Sequence, residues 1–89
     1  MISRRLTIIN KLGLHARAAA RLVGLTSQFA ATIEIERNSR KVNGKSIMGV
    51  MMLAAAKGTD IIVHADGADA QEALNAIETL VREHFGETE

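Results

Sequence analysis

The chain has 89 residues, enough for one small domain (residues 1–89) with one core, and its apolar fraction of 47% is typical of a globular protein. A net charge of +1 and only two aromatic residues, both phenylalanine, argue against a nucleic-acid-binding module, which needs a basic field and stacking platforms. The absence of cysteine excludes disulfides and thiolate metal sites.

No segment has the features of a membrane or export signal. The longest nearly apolar run, residues 47–56, is much shorter than the ~20 residues that span a bilayer. The basic start, Met1 to Arg5, is not followed by a continuous apolar stretch. We therefore expect a soluble protein with a cytoplasmic location.

The first half of the chain predicts a strand followed by a helix. Residues 5–9 alternate apolar and polar side chains, which is typical of a strand. After His15 the apolar residues recur at helical spacing. One face of this helix carries Ala18, Leu22, Leu25 and Phe29, with Ala19 and Val23 beside them.

The middle of the chain predicts a hairpin and a second helix. Residues 32–37 alternate cleanly, and after a turn at Asn38 the short charged segment 40–42 suits an edge strand. Ser46 can N-cap a helix whose apolar residues recur at helical spacing. Lys57 and Gly58 are predicted to close that helix.

The last third predicts a strand over residues 60–65 and a third helix. Asp69 and Glu72 have the spacing of a capping box, and an apolar stripe follows at Ala73, Leu74, Ile77, Leu80 and Val81. The order β-α-β-β-α-β-α indicates a two-layer α+β sandwich with helices on one sheet face. A strand order with strand four between strands one and two and a ferredoxin-like order both remain open at this point.

His15 is the strongest candidate for chemistry. It stands where the first helix begins, and the partial positive charge there suits an anion and disfavours a protonated imidazole. Gly13 permits an unusual backbone path before it, and Arg17 supplies planar donors for a phosphoryl group. The hypothesis is a phosphorylatable histidine, although a lone histidine here could also be a surface or capping residue.

Two further features have alternative interpretations. Ser46 is either a plain N-cap or a regulatory phosphorylation site, since a helix start tolerates a phosphate. Ile47, Met48, Met51 and Met52 surround the second helix, so some must be exposed. They are either core residues, which we expect in part of Ile47 or Met51, or a docking surface, for which Met48 and Met52 are the better candidates. His64, in a predicted strand, and His84, near the C-terminal end of the last predicted helix, lack metal-ligand spacing and are assigned to structure.

Three segments carry a specific resemblance. Residues 12–17 (LGLHAR), 45–51 (KSIMGVM) and 56–58 (AKG) closely resemble the HPr family of phosphocarriers, as do the chain length and element order. The resemblance implies an open-faced β-sandwich with sheet order 1-4-2-3. It also implies a bacterial protein of the phosphoenolpyruvate-dependent phosphotransferase system that needs no cofactor and is not a stand-alone turnover enzyme.

The resemblance also implies roles for particular residues. His15 would accept a phosphoryl group from phospho-enzyme I on Nδ1 and pass it to a histidine of an EIIA protein. Arg17 and the backbone amides of Ala16 and Arg17 would hold the phosphate. Ser46 would match the serine modified by a bifunctional HPr kinase/phosphorylase, and the exposed apolar residues of the second helix would dock enzyme I and EIIA. We expect a monomer.

Position 18 departs from the family pattern, which commonly reads His-Ala-Arg-Pro. Alanine there is a good helix former without the rigidity of proline, so phosphoryl transfer should tolerate it. The alanine-rich stretches also resemble the nitrogen-branch, NPr-type relatives, which leaves sugar uptake and nitrogen-branch regulation open. The alternative function is a regulatory interaction protein acting mainly through phospho-Ser46 and the apolar second helix.

Overall fold

The computed structural model describes residues 1–89, which form four strands, three α-helices and a final 3-10 turn. In chain order these are β1 (Ile2–Thr7), α1 (Ala16–Thr26), β2 (Thr32–Arg37), β3 (Arg40–Asn43), α2 (Ile47–Met52), β4 (Asp60–Asp66), α3 (Ala70–Arg82) and the turn His84–Gly86. No helix is long and apolar enough to cross a membrane.

The four strands form one antiparallel sheet in the order β1-β4-β2-β3. The central strand β4 pairs with both neighbours, so that Val63 lies opposite Arg4 of β1 and Ile35 of β2. The 1-4-2-3 order that the family resemblance implied is confirmed, and the ferredoxin-like alternative is wrong. The short, charged β3 lies at a sheet edge, as predicted.

The alternation of side chains decides which face of the sheet is covered, because successive residues of a strand point to opposite faces. The inward residues of the strands are fully or almost fully buried: Leu6, Ile33, Ile35, Ile61, Val63 and Ala65. The predicted stripes of α1 and α3 supply Ala18, Ala19, Leu22, Ala73, Leu74, Ile77 and Val81 to the same core. The α+β sandwich is therefore confirmed.

The uncovered face of the sheet carries a polar cluster that spans three strands. His64 of β4 receives contacts at both ring nitrogens: the Ser3 hydroxyl is 2.6 Å from Nδ1, and the Glu36 carboxylate is 2.8 Å from Nε2. Assigning His64 to structure agrees with this geometry, because the cluster ties β1, β4 and β2 together across their outer surface.

The bounds of several elements differ from the predictions. α1 ends at Thr26, so Phe29 lies beyond the helix that was predicted to carry it. β1 runs from Ile2 to Thr7 rather than over residues 5–9, and its first residues pair with β4 as far as Ala65. Ser46 does cap α2, but the helix ends at Met52 and not at Lys57-Gly58. Ala54 takes a left-handed φ of 49°, which turns the chain so that Leu53 and Ala55 can both be buried.

The predicted capping box at Asp69 is wrong. Asp69 is the N-cap residue of α3, but its side chain makes no capping hydrogen bond. Its two carboxylate oxygens instead accept from the backbone N–H groups of Ala30 and Ala31, each at 2.8 Å. The carboxylate therefore fastens the entry of β2 to the start of α3, and tertiary structure has overridden a local pattern.

The end of α3 also differs from the expectation that placed His84 in this helix. α3 ends at Arg82, and both His84 and Phe85 have positive φ values, 59° and 54°. This reversal buries the Phe85 side chain completely in the core. It also directs residues 87–89 back toward the start of α1.

Candidate functional site

The loop between β1 and α1 is fixed against the segment that follows α2. Gly13 has a φ of 67°, and a Cβ at this position would lie 2.5 Å from the carbonyl oxygen of Ala55. The same oxygen accepts a hydrogen bond of 2.9 Å from the Leu14 N–H. Only glycine suits both the backbone conformation and the close approach, so Gly13 determines where the next residues are placed.

His15 is the N-cap residue of α1. Its backbone is extended, with φ −75° and ψ −178°, and its carbonyl oxygen accepts from the Ala19 N–H at 2.8 Å. The imidazole makes no capping hydrogen bond, so it leaves the first amides of the helix, including those of Ala16 and Arg17, to other partners. With 27% of its side chain exposed, the ring remains accessible from solvent.

A carboxylate from the end of the chain lies against one nitrogen of this ring. Oε2 of Glu87 is 2.5 Å from Nε2 of His15, whereas Nδ1 has no hydrogen-bond partner. The other carboxylate oxygen accepts from the side-chain amide of Asn10 at 2.9 Å. The same amide also donates to the Gly13 carbonyl oxygen at 2.9 Å, so the buried Asn10 links the loop to Glu87.

The surroundings of Glu87 favour its ionised form. The hydrogen bond from Asn10 lowers the pKa of this carboxyl most, and the contact with His15 and the charge of Arg17 lower it further, against the opposing effect of burial. Glu87 is therefore a carboxylate at neutral pH. The ring of His15 thus has a negative group at Nε2 and an open Nδ1.

Residues 85–89 are held in place by further contacts with α1 and the loop. The Phe85 carbonyl oxygen accepts from Arg21 at 2.6 Å, and the Glu89 carbonyl oxygen accepts from the Lys11 N–H at 2.6 Å. Between this segment and α1 lies an open depression of about 430 Å³. Arg17 lines the depression with Arg21, Lys11 and Leu12, and its guanidinium makes no hydrogen bond within the chain.

Ser46 has the geometry of an N-cap. Its hydroxyl oxygen accepts from the Gly49 N–H at 3.0 Å, and the residue is partly exposed. The neighbouring Lys45 donates from Nζ to the Phe29 carbonyl oxygen at 2.7 Å. The capping interpretation is therefore confirmed, and it leaves modification of the same hydroxyl untested.

Four apolar side chains of α2 form an exposed surface, here called the α2 patch: Ile47, Met48, Met51 and Met52. Met48 and Met52 are 71% and 61% exposed, and even Ile47 and Met51, expected partly in the core, are 42% and 38% exposed. Only Val50 of this helix is buried. Leu12, close to His15 in the sequence, is also exposed.

Sequence reasoning missed Asn10 and Glu87 as parts of the site. Asn10 had a weak signal, since an asparagine just before a glycine turn often bonds the local backbone. Glu87 had none, because nothing in the residues 72 positions earlier indicates a contact with it. No group of three or more His, Cys, Asp or Glu is placed to hold a metal ion.

Known proteins resemble this chain in sequence and in fold. The family model described as "PTS HPr component phosphorylation site" matches residues 2–83. Phosphocarrier protein HPr of Cupriavidus necator is 52% identical over 89 residues, covering 100% of both chains. The crystal structure of HPr-C-His from Thermoanaerobacter tengcongensis has a TM-score of 0.96 at 42% identity, with 100% of both chains covered. An HPr dimer from that organism has a TM-score of 0.78 at 42% identity, covering 98% of this chain and 100% of that one.

The strand order 1-4-2-3, the three helices on one face and the family match define a small carrier domain of the phosphotransferase system. The chain belongs to the HPr family of phosphocarrier proteins. The family resemblance read from residues 12–17, 45–51 and 56–58 is thereby confirmed. The expected monomer stays a prediction, since a relative with this fold forms a dimer.

Proposed function

We propose that this chain carries a phosphoryl group on Nδ1 of His15, received from phospho-enzyme I and passed to a histidine of an EIIA protein. The observation that carries the proposal is the His15 ring at the start of α1, accessible and with Nδ1 unoccupied by any internal hydrogen bond. Membership of the HPr family supports enzyme I and EIIA as the donor and the acceptor. The proposal includes a single domain over residues 1–89 and a cytoplasmic location.

The start of α1 supplies what a transient phosphoryl group needs. The N–H groups of Ala16 and Arg17 lie at the positive end of the helix, where they can donate to an anion, and Arg17 adds a charged donor. Each hydrogen bond to a charged group contributes about 1.5–3 kcal/mol. A carrier must not stabilise its phosphorylated form more than it stabilises the transition state of phosphoryl transfer. The shallow site meets this requirement because it binds the phosphoryl group without trapping it.

Labelling from phosphoenolpyruvate tests this role. Incubation with enzyme I should give an acid-labile, alkali-stable phosphate on the wild-type chain and none on His15→Ala. The matched control is His84→Asn, which removes another histidine and keeps a side chain that tolerates its left-handed backbone. Equal labelling of His15→Ala would contradict the proposal.

Arg17 and the α2 patch have separable parts in this proposal. Arg17→Ala should slow phosphoryl acceptance by about tenfold or more, because one charged hydrogen bond is lost. Met48→Asp should instead raise the KM for enzyme I, because a charge on the exposed α2 patch disturbs docking while His15 is untouched.

Analytical ultracentrifugation would test the expected monomer, since the α2 patch could also contact a second copy of the chain.

We also propose Ser46 as a regulatory phosphorylation site. Its partly exposed hydroxyl caps α2, and a phosphate there could keep accepting from the Gly49 N–H. A bifunctional HPr kinase/phosphorylase with ATP should give an acid-stable phosphate that Ser46→Ala lacks and that Ser27→Ala, an exposed control serine, retains. If a competent kinase leaves the wild-type chain unlabelled, this part of the proposal is wrong.

The second candidate function is a regulatory interaction protein acting mainly through phospho-Ser46 and the α2 patch. The exposure of all four patch residues favours an interaction at this surface. The two candidates differ in what His15→Ala does. It abolishes the function of a carrier, whereas a regulator recruited through phospho-Ser46 would still bind its partner.

A further inference from the structure

The carboxylate of Glu87 is the group of this chain that hydrogen-bonds to the reactive ring. Oε2 of Glu87 lies 2.5 Å from Nε2 of His15. Nε2 is the ring nitrogen that the proposed phosphoryl transfer does not use. Its own position is fixed, because Asn10 donates to the second carboxylate oxygen. Only 12% of the Glu87 side chain is exposed, so the contact is shielded from bulk water.

The contact assigns the protons of the neutral ring. A carboxylate can only accept, so Nε2 must be the protonated nitrogen and must donate to Glu87. The lone pair of the neutral ring therefore lies on Nδ1. A hydrogen bond at the second nitrogen also fixes the rotation of the ring, as it does for histidines that bind metals.

We propose that Glu87 is a positioning residue that holds the Nε2 proton of His15 and balances the charge of the phosphorylated ring. This inference rests on the proposed phosphoryl transfer through Nδ1. Asn10 belongs to the same device, since it holds the carboxylate in line with the ring and joins it to the Gly13 carbonyl oxygen.

The transfer step then needs no proton movement on this chain. The Nδ1 lone pair attacks phosphorus, the bond from phosphorus to the donor nitrogen breaks, and its electron pair stays on the donor. The His15 ring, with its Nε2 proton retained, becomes positive and faces the Glu87 carboxylate. When the group moves on, the electron pair of the broken bond returns to Nδ1 and a neutral imidazole leaves.

Other charged side chains lie near Glu87, and one of them offers a control. Arg17 and Lys11 lie around the same depression, and Glu89 is paired with Lys11, its carboxylate 3.9 Å from Nζ. Glu89 is therefore a second carboxylate of the same terminal segment that does not contact the ring. It provides a control with an equal change in charge.

Single-turnover transfer from phospho-enzyme I to Glu87→Gln, Glu87→Ala and Glu89→Gln tests the inference. Glu87→Gln keeps an oxygen that can accept the Nε2 proton but removes the charge. At saturating donor, we expect the transfer rate of both Glu87 variants to fall about tenfold, which corresponds to about 1.4 kcal/mol in activation free energy. The KM, measured by varying the donor concentration, should be unchanged. Glu89→Gln should stay within about twofold of wild type.

Nitrogen-15 spectra of the unphosphorylated proteins provide a readout that a merely structural role would not move. Wild type and Glu87→Gln should carry the proton on Nε2 of His15, whereas Glu87→Ala should show a mixture of both tautomers. Wild-type transfer rates in Glu87→Gln would overturn the inference and leave the proposed function intact. A wild-type chain that takes no phosphoryl group would instead overturn the proposed function.

Discussion

Gly13 is the residue through which the fold places the site, so Gly13→Ala is the most informative perturbation. The position combines a φ of 67° with contact to the backbone that follows α2. An added Cβ would lie 2.5 Å from the Ala55 carbonyl oxygen and 2.9 Å from Cα of Ala56. Both neighbours are backbone atoms, which cannot move aside as a flexible side chain can.

The cost of this change has two parts. A left-handed backbone costs alanine about 1–2 kcal/mol, and forcing extra volume into a packed contact costs about 1–3 kcal/mol. The lower entropy of the unfolded alanine chain returns about 0.4–1 kcal/mol. We therefore expect Gly13→Ala to lower the free energy of unfolding by about 1–4.5 kcal/mol, a large share of the ~5–15 kcal/mol of a typical domain.

Urea unfolding followed by circular dichroism measures this loss. Gly24→Ala is the matched control, because Gly24 lies in α1 with no atom within 4 Å of an added Cβ. That variant should gain about 0.5–1 kcal/mol from its better helix propensity. A loss below about 1 kcal/mol in Gly13→Ala would refute the reasoning that strain and overlap act together at this position.

Three further substitutions test other parts of the fold. Phe85→Ala should lower the free energy of unfolding by about 3–5 kcal/mol in urea titrations, because the side chain is fully buried. Ser46→Ala should cost about 1 kcal/mol in the same assay through the lost cap to Gly49. The hydrogen bond from Ala30 N–H holds the pKa of Asp69 below its ordinary 3.8. The stabilisation by the Asp69 carboxylate is therefore fully present above pH 3.8 and is lost as the pH falls through the lowered pKa. In urea titrations below about pH 4, the free energy of unfolding of Asp69→Asn should therefore fall less than that of wild type.

The parts of the fold that the sequence predicted correctly are those set by local periodicity. Clean alternation gave β2 its observed bounds, and helical spacing gave the buried stripes of α1 and α3. The strand order did not follow from any of these patterns. It came from the family resemblance, because the pairing of β4 between β1 and β2 joins residues too distant in sequence for a local rule.

The errors have a common physical cause in contacts between distant segments. Asp69 had the sequence context of a cap, yet its carboxylate bonds two amides about 40 positions earlier in the chain. α2 stopped early because the burial of Leu53 and Ala55 outweighed the helical pattern that ran on to Lys57. Local propensities evaluate each segment separately, whereas here tertiary packing decides between structures of similar local energy.

The candidate site combines both kinds of information. His15 and Arg17 could be found from sequence because a helix start and its charges are local features. Glu87 could not, because its place depends on a left-handed reversal at His84 and Phe85, which accompanies the burial of the Phe85 ring in the core. The core thus directs a carboxylate onto the ring that α1 presents. Loss of the Phe85 side chain should therefore release Glu87 and weaken the same contact that Glu87→Ala removes, although residue 85 lies outside the site.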